Sequence, residues 1–316
     1  MDAIVVEDLK KVFKANWPGR PPITALSGLS FTVNQGEIFG FVGPNGAGKT
    51  TTMKILLGLM SPTSGRVEVL GMTAGAVNVR QQIGFLPESP YFYDYLTAEE
   101  FLRFYGRLAG MAERELSRQV AQMIELVGLA EARSRQLRKF SKGMLQRVGL
   151  AQALIHNPRL VILDEPMSGL DPVGRKQLRD LILSLRDQGK TVFFSTHIIP
   201  DVEMICDRVA IVLQGKLLAL GRVDDLLTMS QAQSVEIIFE DLDPRQVVLL
   251  SEFATRVIQQ GKRCLVVIPS SCQVDPLIAA IHQQGGHIVS VTPQKGSLEE
   301  LFLTKLVPCG LTKEES

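Results

Sequence analysis

Short apolar runs and helix-spaced apolar positions follow one another along the first two thirds of the chain. The runs at 37–42, 160–163 and 191–194 are rich in strand-forming residues, which is typical of strands buried in a parallel sheet. The segment 51–60 instead carries its apolar residues at helical spacing, so it predicts an amphipathic helix. Strands that alternate with helices in this way predict an α/β fold.

The last third of the chain has a different pattern. A small polar segment at 228–234 is typical of a linker between a domain over 1–227 and a second one over 235–316. The order strand, helix, strand, helix, strand is predicted for 234–241, 245–260, 263–270, 275–286 and 287–294. This order predicts a small α+β domain, and the ferredoxin-like fold is one such arrangement.

Composition and charge narrow the class of protein. The chain has 316 residues, of which 45% are apolar and 21% charged, and its formal net charge is +1. Such a chain is globular, and it has no overall field that attracts nucleic acid, so no nucleic-acid partner is expected. The four cysteines form no CxxC pair, which argues against a zinc or redox motif and favours reduced thiols.

Hydropathy bears on the location of the protein. No stretch reaches the roughly 20 apolar residues that a membrane-spanning helix needs, and the N-terminus lacks the apolar core of a signal peptide. We therefore expect a soluble, cytoplasmic protein that acts at a membrane only through a partner.

The first candidate chemistry is GPNGAGKTT at 43–51, between a predicted strand and a predicted helix. Its glycines let the backbone adopt positive φ and approach a ligand closely. The N–H groups of residues 46–49 then form a nest for an anion at the helix N-terminus. We expect Lys49 to reach the β- and γ-phosphates of a nucleotide and the Thr50 hydroxyl to bind Mg²⁺. The predicted nucleotide-binding residues here are Gly43, Pro44, Asn45, Gly46, Ala47, Gly48, Lys49, Thr50 and Thr51.

Polar residues end two of the predicted buried strands. Asp164 and Glu165 follow the run at 160–163, and His197 follows the run at 191–194. Ligands of open α/β sheets bind outside the carboxyl ends of the strands, so these side chains should face the phosphates. Asp164 would then hold Mg²⁺, and Glu165 would act as the general base for an attacking water. His197 would contact the γ-phosphate, although a lone histidine is more often structural.

Further motifs complete a known pattern. The loop at 43–51 and the segment ILDEP are accompanied by three further motifs in a fixed order along the chain. These are FSKGM at 140–144, SGLDP at 168–172 and the STH that contains His197. Over residues 4–227 the chain resembles the ATP-binding cassette of ABC transporters. The segments SKGM, QRV and SLEELF look most like the exporter branch that includes drug, sodium, lipid and polysaccharide systems.

The resemblance implies a fold and an assembly. The fold would be a P-loop NTPase core of RecA type with an antiparallel β edge and a helical signature subdomain at about 90–155. Two cassettes, in the simplest case identical, would pair head to tail around ATP. Ser141 and Gly143 of the signature, and Asp171 of the D-loop, would lie at the partner's nucleotide. A separate transmembrane permease would hold the dimer at the cytoplasmic face of the membrane, where ATP hydrolysis drives transport.

Some positions depart from the family pattern. Glu88 stands where the family has the Q-loop glutamine, and we expect it to keep a metal-sensing role because a carboxylate binds Mg²⁺ or its water. Lys142 and Met144 replace residues of the usual signature. The aromatic residue that stacks on adenine is either Phe13, which has the better spacing, or Trp17.

Alternative functions leave different marks in the sequence. Soluble ABC proteins of ribosomes or DNA usually carry two cassettes or a long coiled-coil insertion, and neither is present. A non-catalytic regulatory module would be expected to lack the acid at Glu165. In the transporter reading, the aromatic loop 91–95 and the helix that follows are expected to contact the permease, although such rings can also pack internally.

Overall fold

The computed structural model describes residues 1–14, 21–229, 234–242, 254, 256–268, 274–294, 297–299 and 301–302. The chain divides into two compact units, Met1–Val223 and Asp224–Ser316. The predicted boundary at 227 falls within a helix, Val223–Met229. Of the predicted linker, residues 230–233 lie outside the described residues. Across the described residues, no helix is both long enough and apolar enough to span a bilayer.

The strands of the first unit form two sheets. In chain order they are β1 (Asp2–Phe13), β2 (Ile23–Asn34), β3 (Ile38–Val42), β4 (Ser64–Val69), β5 (Met72–Thr73), β6 (Ile83–Leu86), β7 (Leu160–Asp164), β8 (Thr191–Thr196), β9 (Arg208–Leu213) and β10 (Lys216–Arg222). An antiparallel sheet has the order β2-β1-β4-β5. A six-stranded sheet has the order β10-β9-β3-β8-β7-β6, parallel except for β10. The predicted α/β fold with an antiparallel β edge is therefore confirmed.

Helices connect and cover these strands. They are α1 (Lys49–Leu56), α2 (Val77–Arg80), α3 (Ala98–Leu108), α4 (Glu113–Leu126), α5 (Lys142–Leu154), α6 (Pro172–Asp187), α7 (Ile199–Ile205) and α8 (Val223–Met229). Side-chain caps fix three of the starts. Thr97 and Glu100 form a capping box at the start of α3, Ser141 caps α5, and Asp171 caps α6 ahead of a proline.

The core lies between the two sheets. Phe31 of β2, Phe39 of β3 and Phe193 of β8 stack on one another, with 5.7 Å between the ring centroids of Phe39 and both other rings. All three rings are almost fully buried. This apolar contact fixes the six-stranded sheet, and with it the strand ends that carry the polar residues discussed below.

The second unit contains β11 (Ser234–Glu240), β12 (Arg256–Gln260), β13 (Arg263–Ile268), α9 (Val274–Gln283) and β14 (His287–Gln294). Its antiparallel sheet has the order β12-β13-β11-β14, which is the order of a ferredoxin-like fold. The helix predicted over 245–260 is wrong at its end, because residues 256–260 are strand β12. Residues 243–253 lie outside the described residues.

Candidate functional site

Three parallel strands bring the predicted site residues to one edge of the sheet. β8 lies between β3 and β7, and the register pairs Val42 with Thr196 and Asp164 with Ser195. The loop that follows β3, the acids that end β7 and the STH segment that ends β8 therefore emerge side by side. This is the place where an open α/β sheet binds its ligands.

The loop 43–48 has the backbone geometry that its glycines predict. Gly46 and Gly48 have φ of 80° and 102°, in the left-handed region that side chains disfavour. A Cβ on Gly43 would lie 2.3 Å from the carbonyl oxygen of Val212, so only glycine fits there. Helix α1 begins directly after Gly48, with Lys49 as its first residue, and its N–H groups face the loop.

Lys49 is almost completely buried beneath this loop. Its Nζ donates to the carbonyl oxygen of Gly43 at 2.6 Å and to that of Pro44 at 3.2 Å. It also lies 3.3 Å from Oε1 of Glu165, and each of these two side chains is only 7% exposed. The only lysine of the loop thus lies beside the predicted general base.

The Asp164 carboxylate is held from two sides. Its Oδ2 accepts a hydrogen bond from the Thr50 hydroxyl at 3.1 Å, and its Oδ1 accepts one from the Ser195 hydroxyl at 2.6 Å. Asp164 and Ser195 are buried, whereas Thr50 is exposed. Ser195 was not among the predicted site residues, and its place in the STH segment was the one signal that pointed to it.

Thr50 and Asp164 suit Mg²⁺. Hydroxyl and carboxylate oxygens are the hard ligands that this ion prefers, and it commonly takes one or two carboxylates together with substrate phosphates. A full protein cage is not needed, and the described residues contain no cluster of three or more His, Cys, Asp or Glu that could hold a metal.

Glu165 turns away from Asp164 because its backbone leaves the strand. Its φ is 47°, an uncommon value for a residue with a side chain. Its N–H donates to the hydroxyl and the carbonyl of Ser195, at 3.1 and 3.2 Å. The Oε2 atom lies 2.9 Å from Nδ1 of His197. The Oε1 atom is buried without a hydrogen-bond partner, so its contact with Lys49 is an ion pair without hydrogen-bond geometry.

The predicted signature and D-loop residues lie at helix starts. The Ser141 hydroxyl accepts from the N–H of Met144 at 3.3 Å, and Asp171 accepts from the N–H of Gly174 at 2.9 Å. A Cβ on Gly143 would lie 3.8 Å from Leu170. No hydrogen bond among the described residues joins Ser141, Gly143 or Asp171 to the loop at 43–51. Within one chain, these residues are therefore not part of the cluster around Lys49.

Two other predicted residues lie in exposed positions. Glu88 is exposed on the segment after β6. Phe13 ends β1 and is 37% exposed, with the Lys11 ammonium 5.3 Å from its ring centroid. Its alternative, Trp17, lies outside the described residues.

The aromatic loop 91–95 is divided between surface and core. Tyr91 is 81% exposed and Tyr95 is 62% exposed. Phe92 instead packs against Phe101, with 5.4 Å between the ring centroids. A groove of about 1080 Å³ lies between α2, α4 and the C-terminal ends of α3 and α5, and its lining includes Tyr105, Leu108 and Ile155.

Known proteins are similar to this chain in sequence. The family described as ABC transporter matches residues 26–168. An uncharacterised ABC transporter ATP-binding protein of Synechocystis sp. is 41% identical over 319 residues, which cover 100% of this chain and 88% of that protein. The bacitracin transport ATP-binding protein BcrA of Bacillus licheniformis is 36% identical over 286 residues, covering 89% of this chain and 92% of that protein.

A solved structure agrees with these relatives. The ATP-binding subunit of an ABC transporter matches with a TM-score of 0.63 and 32% identity, over 72% of this chain and 92% of that chain. The resemblance inferred from the motifs is thus confirmed. The chain belongs to the ATP-binding proteins of ABC transporters, and it is an ATP-hydrolysing subunit of such a transporter.

Proposed function

We propose that this subunit works as a dimer on the cytoplasmic face of a membrane and drives export through a separate permease. The observation that carries its chemical part is a chain of contacts, none longer than 3.3 Å. It runs from Thr50 through Asp164 and Ser195 to Glu165, which in turn contacts His197 and Lys49. Support for export comes from the branch resemblance of the motifs and from the relative BcrA, whose name assigns it to bacitracin transport.

In this proposal, the loop at 43–51 holds the ATP phosphates. Its N–H groups and the Lys49 ammonium balance their charge. Thr50 and Asp164 hold Mg²⁺, with Glu88 sensing the metal from the Q-loop position. When bound, this ion would neutralise negative charge on the β- and γ-phosphates. Phe13, or Trp17 in its place, stacks on the adenine.

Glu165 has the place and the partners of a general base. It accepts a proton from a water molecule whose oxygen bonds to the γ-phosphorus while the bond to the β–γ bridging oxygen breaks, leaving ADP and phosphate. The contact between Nδ1 of His197 and Oε2 of Glu165 orients the carboxylate. The other nitrogen of the ring then lies free to contact the γ-phosphate.

A second copy would supply the rest of each nucleotide site. Ser141, Gly143 and Asp171 would reach the ATP held by the partner, helped by the positive end of α5. One chain contains both sets of motifs, so two identical chains complete two identical sites, which favours a homodimer with twofold symmetry.

The permease would bind near the aromatic loop. The exposed rings of Tyr91 and Tyr95 lie on the helical subdomain at about 90–155, and apolar surface of this kind marks protein contacts. The binding of a helix in an apolar groove is a standard mode of recognition, and the groove between α2, α4 and the ends of α3 and α5 could hold a helix of the permease. The domain over 235–316 would support or regulate the dimer, as its resemblance to extensions in the exporter branch implies.

The test is affinity purification of a tagged Glu165→Gln variant from detergent-solubilised native membranes with Mg-ATP. This variant should bind ATP without hydrolysing it, so the closed dimer and its partners accumulate. We expect a stoichiometric polytopic membrane protein, and its loss from a matched Lys49→Ala control that binds ATP poorly. Recovery of ribosomes, DNA or the tagged chain alone would refute the permease proposal.

A further inference from the structure

The segment after Glu165 is held by the helix that carries the signature. The side chain of Gln146, in the second turn of α5, is 6% exposed. Its Nε2 donates to the carbonyl oxygen of Pro166 at 2.8 Å, across 20 positions of sequence. A buried hydrogen bond of this kind fixes the position of one segment relative to the other, because breaking it would leave the buried Pro166 carbonyl unpaired at a cost in free energy.

This bond acts on a strained piece of backbone. Glu165 has a φ of 47°, and backbone in such a region persists only where its surroundings hold it. On the N-terminal side, the N–H of Glu165 is held by Ser195. On the C-terminal side, the N–H of Ser168 donates to the Glu165 carbonyl at 3.1 Å. Gln146 provides the one side-chain bond to the intervening Pro166 among the described residues.

The first turn of α5 touches the same loop further along. A Cβ on Gly169 would overlap the Lys142 side chain, whose Nζ would lie only 1.9 Å away. Gly169 has a φ of 68°, which favours glycine there. Through Gln146 and Lys142, α5 contacts the loop 166–170 at two places, and Gly143 lies close to Leu170. A movement of the helix start would therefore move the loop.

We propose that Gln146 is a positioning residue that sets the place of the Glu165 carboxylate and links it to the signature. The inference rests on the proposed roles of Glu165 and Ser141. When Ser141 and Gly143 bind the nucleotide of a second cassette, this contact sets the position of α5. Through its hydrogen bond to the Pro166 carbonyl, Gln146 then sets the position of Glu165, the general base of its own chain. Each nucleotide site thereby depends on the occupancy of the other.

The test compares full-length variants. Gln146→Met keeps the length of the side chain and removes the donor, and we expect kcat to fall about ten-fold or more because small displacements of catalytic groups are costly. The affinity for ATP should stay within about two-fold, since the residues at 43–51 are untouched. Gln152→Met makes the same change near the end of the same helix and should leave kcat unchanged.

A second variant, Gln146→Glu, makes kcat depend on pH in a way that is not expected if Gln146 only supports the fold. In Gln146→Glu the neutral carboxyl group can donate to the Pro166 carbonyl, whereas the ionised form cannot. Burial raises a carboxyl pKa, so kcat relative to wild type should rise as the pH is lowered from about 8 to about 6. The same ratio for Gln146→Met should stay flat.

The outcomes separate this inference from the proposed function. An unchanged kcat in Gln146→Met overturns the positioning role, and so does a ratio of kcat in Gln146→Glu to kcat in wild type that does not change with pH. If the wild-type chain hydrolyses ATP in the same assays, the proposed function stands in either case. ATP affinity that falls in parallel with kcat, or loss of folding in both variants, also overturns the positioning role, because Gln146 would then only support the fold. A wild-type chain without ATP hydrolysis would instead count against the proposed chemistry.

Discussion

Replacing Ser195 by alanine should weaken the first unit and loosen both acids at once. The Ser195 side chain is fully buried. Its hydroxyl donates to Oδ1 of Asp164 at 2.6 Å and accepts from the N–H of Glu165 at 3.1 Å. Alanine removes both bonds but leaves the Ser195 backbone carbonyl, which lies 3.2 Å from the same N–H. The net loss is therefore chiefly the charge-assisted bond to Asp164.

The size of the effect follows from that bond. A hydrogen bond to a charged group contributes about 1.5 to 3 kcal/mol, and a buried partner left unpaired lies at the upper part of this range. Asp164 keeps its bond to Thr50, so we expect a loss of about 2 kcal/mol in the free energy of unfolding. For a unit of this size, that corresponds to a decrease of about 4 to 8 °C in Tm.

Circular dichroism melting of the full chain at neutral pH measures this change. The two units need not unfold together, so the relevant transition is the one that added ATP shifts to higher temperature. Ser184→Ala is the matched control, because its hydroxyl donates to the carbonyl of Leu181 within α6 and to no other group in the described part of the chain, and because alanine favours helices. A Tm for Ser195→Ala within about 1 °C of that control would refute the energetic reasoning.

Three further predictions concern the exposed parts of the first unit. Glu88→Ala should raise the Mg²⁺ concentration for half-maximal hydrolysis about ten-fold, as loss of a metal-supporting group does, and an unchanged Mg²⁺ titration and rate would refute its sensing role. Tyr91→Asp should abolish permease recovery in the Glu165→Gln background and should preserve hydrolysis in the otherwise wild-type chain, whereas Phe92→Asp should lower Tm because that ring packs inward. Arg133, together with Arg103, holds the pKa of Glu99 down to about 2, so Arg133→Ala should cost about 1 kcal/mol at neutral pH after solvent screening. A lowered carboxyl pKa stabilises the fold fully above the unfolded value of 4.5 and progressively less below it, so urea titrations should show this difference shrinking as the pH falls from about 4.5 towards about 2.

The sequence predicts the site well where chemistry and chain order coincide. Lys49, Asp164, Glu165 and His197 follow strands whose apolar runs are easily seen, and parallel strands bring their ends together. It does not reveal Gln146, since a glutamine two positions after a signature gives no sign of a carbonyl 20 positions away. Nor does it separate Tyr91 from Phe92, because only packing decides which ring of the loop is covered.

The error at the end of the helix predicted over 245–260 has a local cause. The apolar residues of this segment fit a helical period, and its end was assigned with the rest. Yet β12 and β13 are joined by only two residues, Gly261, which has a φ of 63°, and Lys262. The two strands pair Gln260 with Arg263 and Ile258 with Leu265. A two-residue connection that contains glycine between apolar runs predicts a hairpin, and for the five residues of β12 this signal outweighs the helical spacing of the apolar residues.

Backbone geometry explains how adjacent acids can take separate roles. Asp164 is the last residue of β7, and the extended strand directs its carboxylate to Thr50 and Ser195. The positive φ of Glu165 breaks that direction, so its carboxylate meets His197 and Lys49 instead. Exchanging the two side chains would leave the total charge unchanged but place the longer acid at the hydroxyls of Thr50 and Ser195. We therefore expect the double exchange Asp164→Glu and Glu165→Asp to reduce hydrolysis far more than ATP binding. A kcat and a Kd for ATP close to the wild-type values, measured by steady-state kinetics and titration calorimetry, would show that charge rather than direction matters.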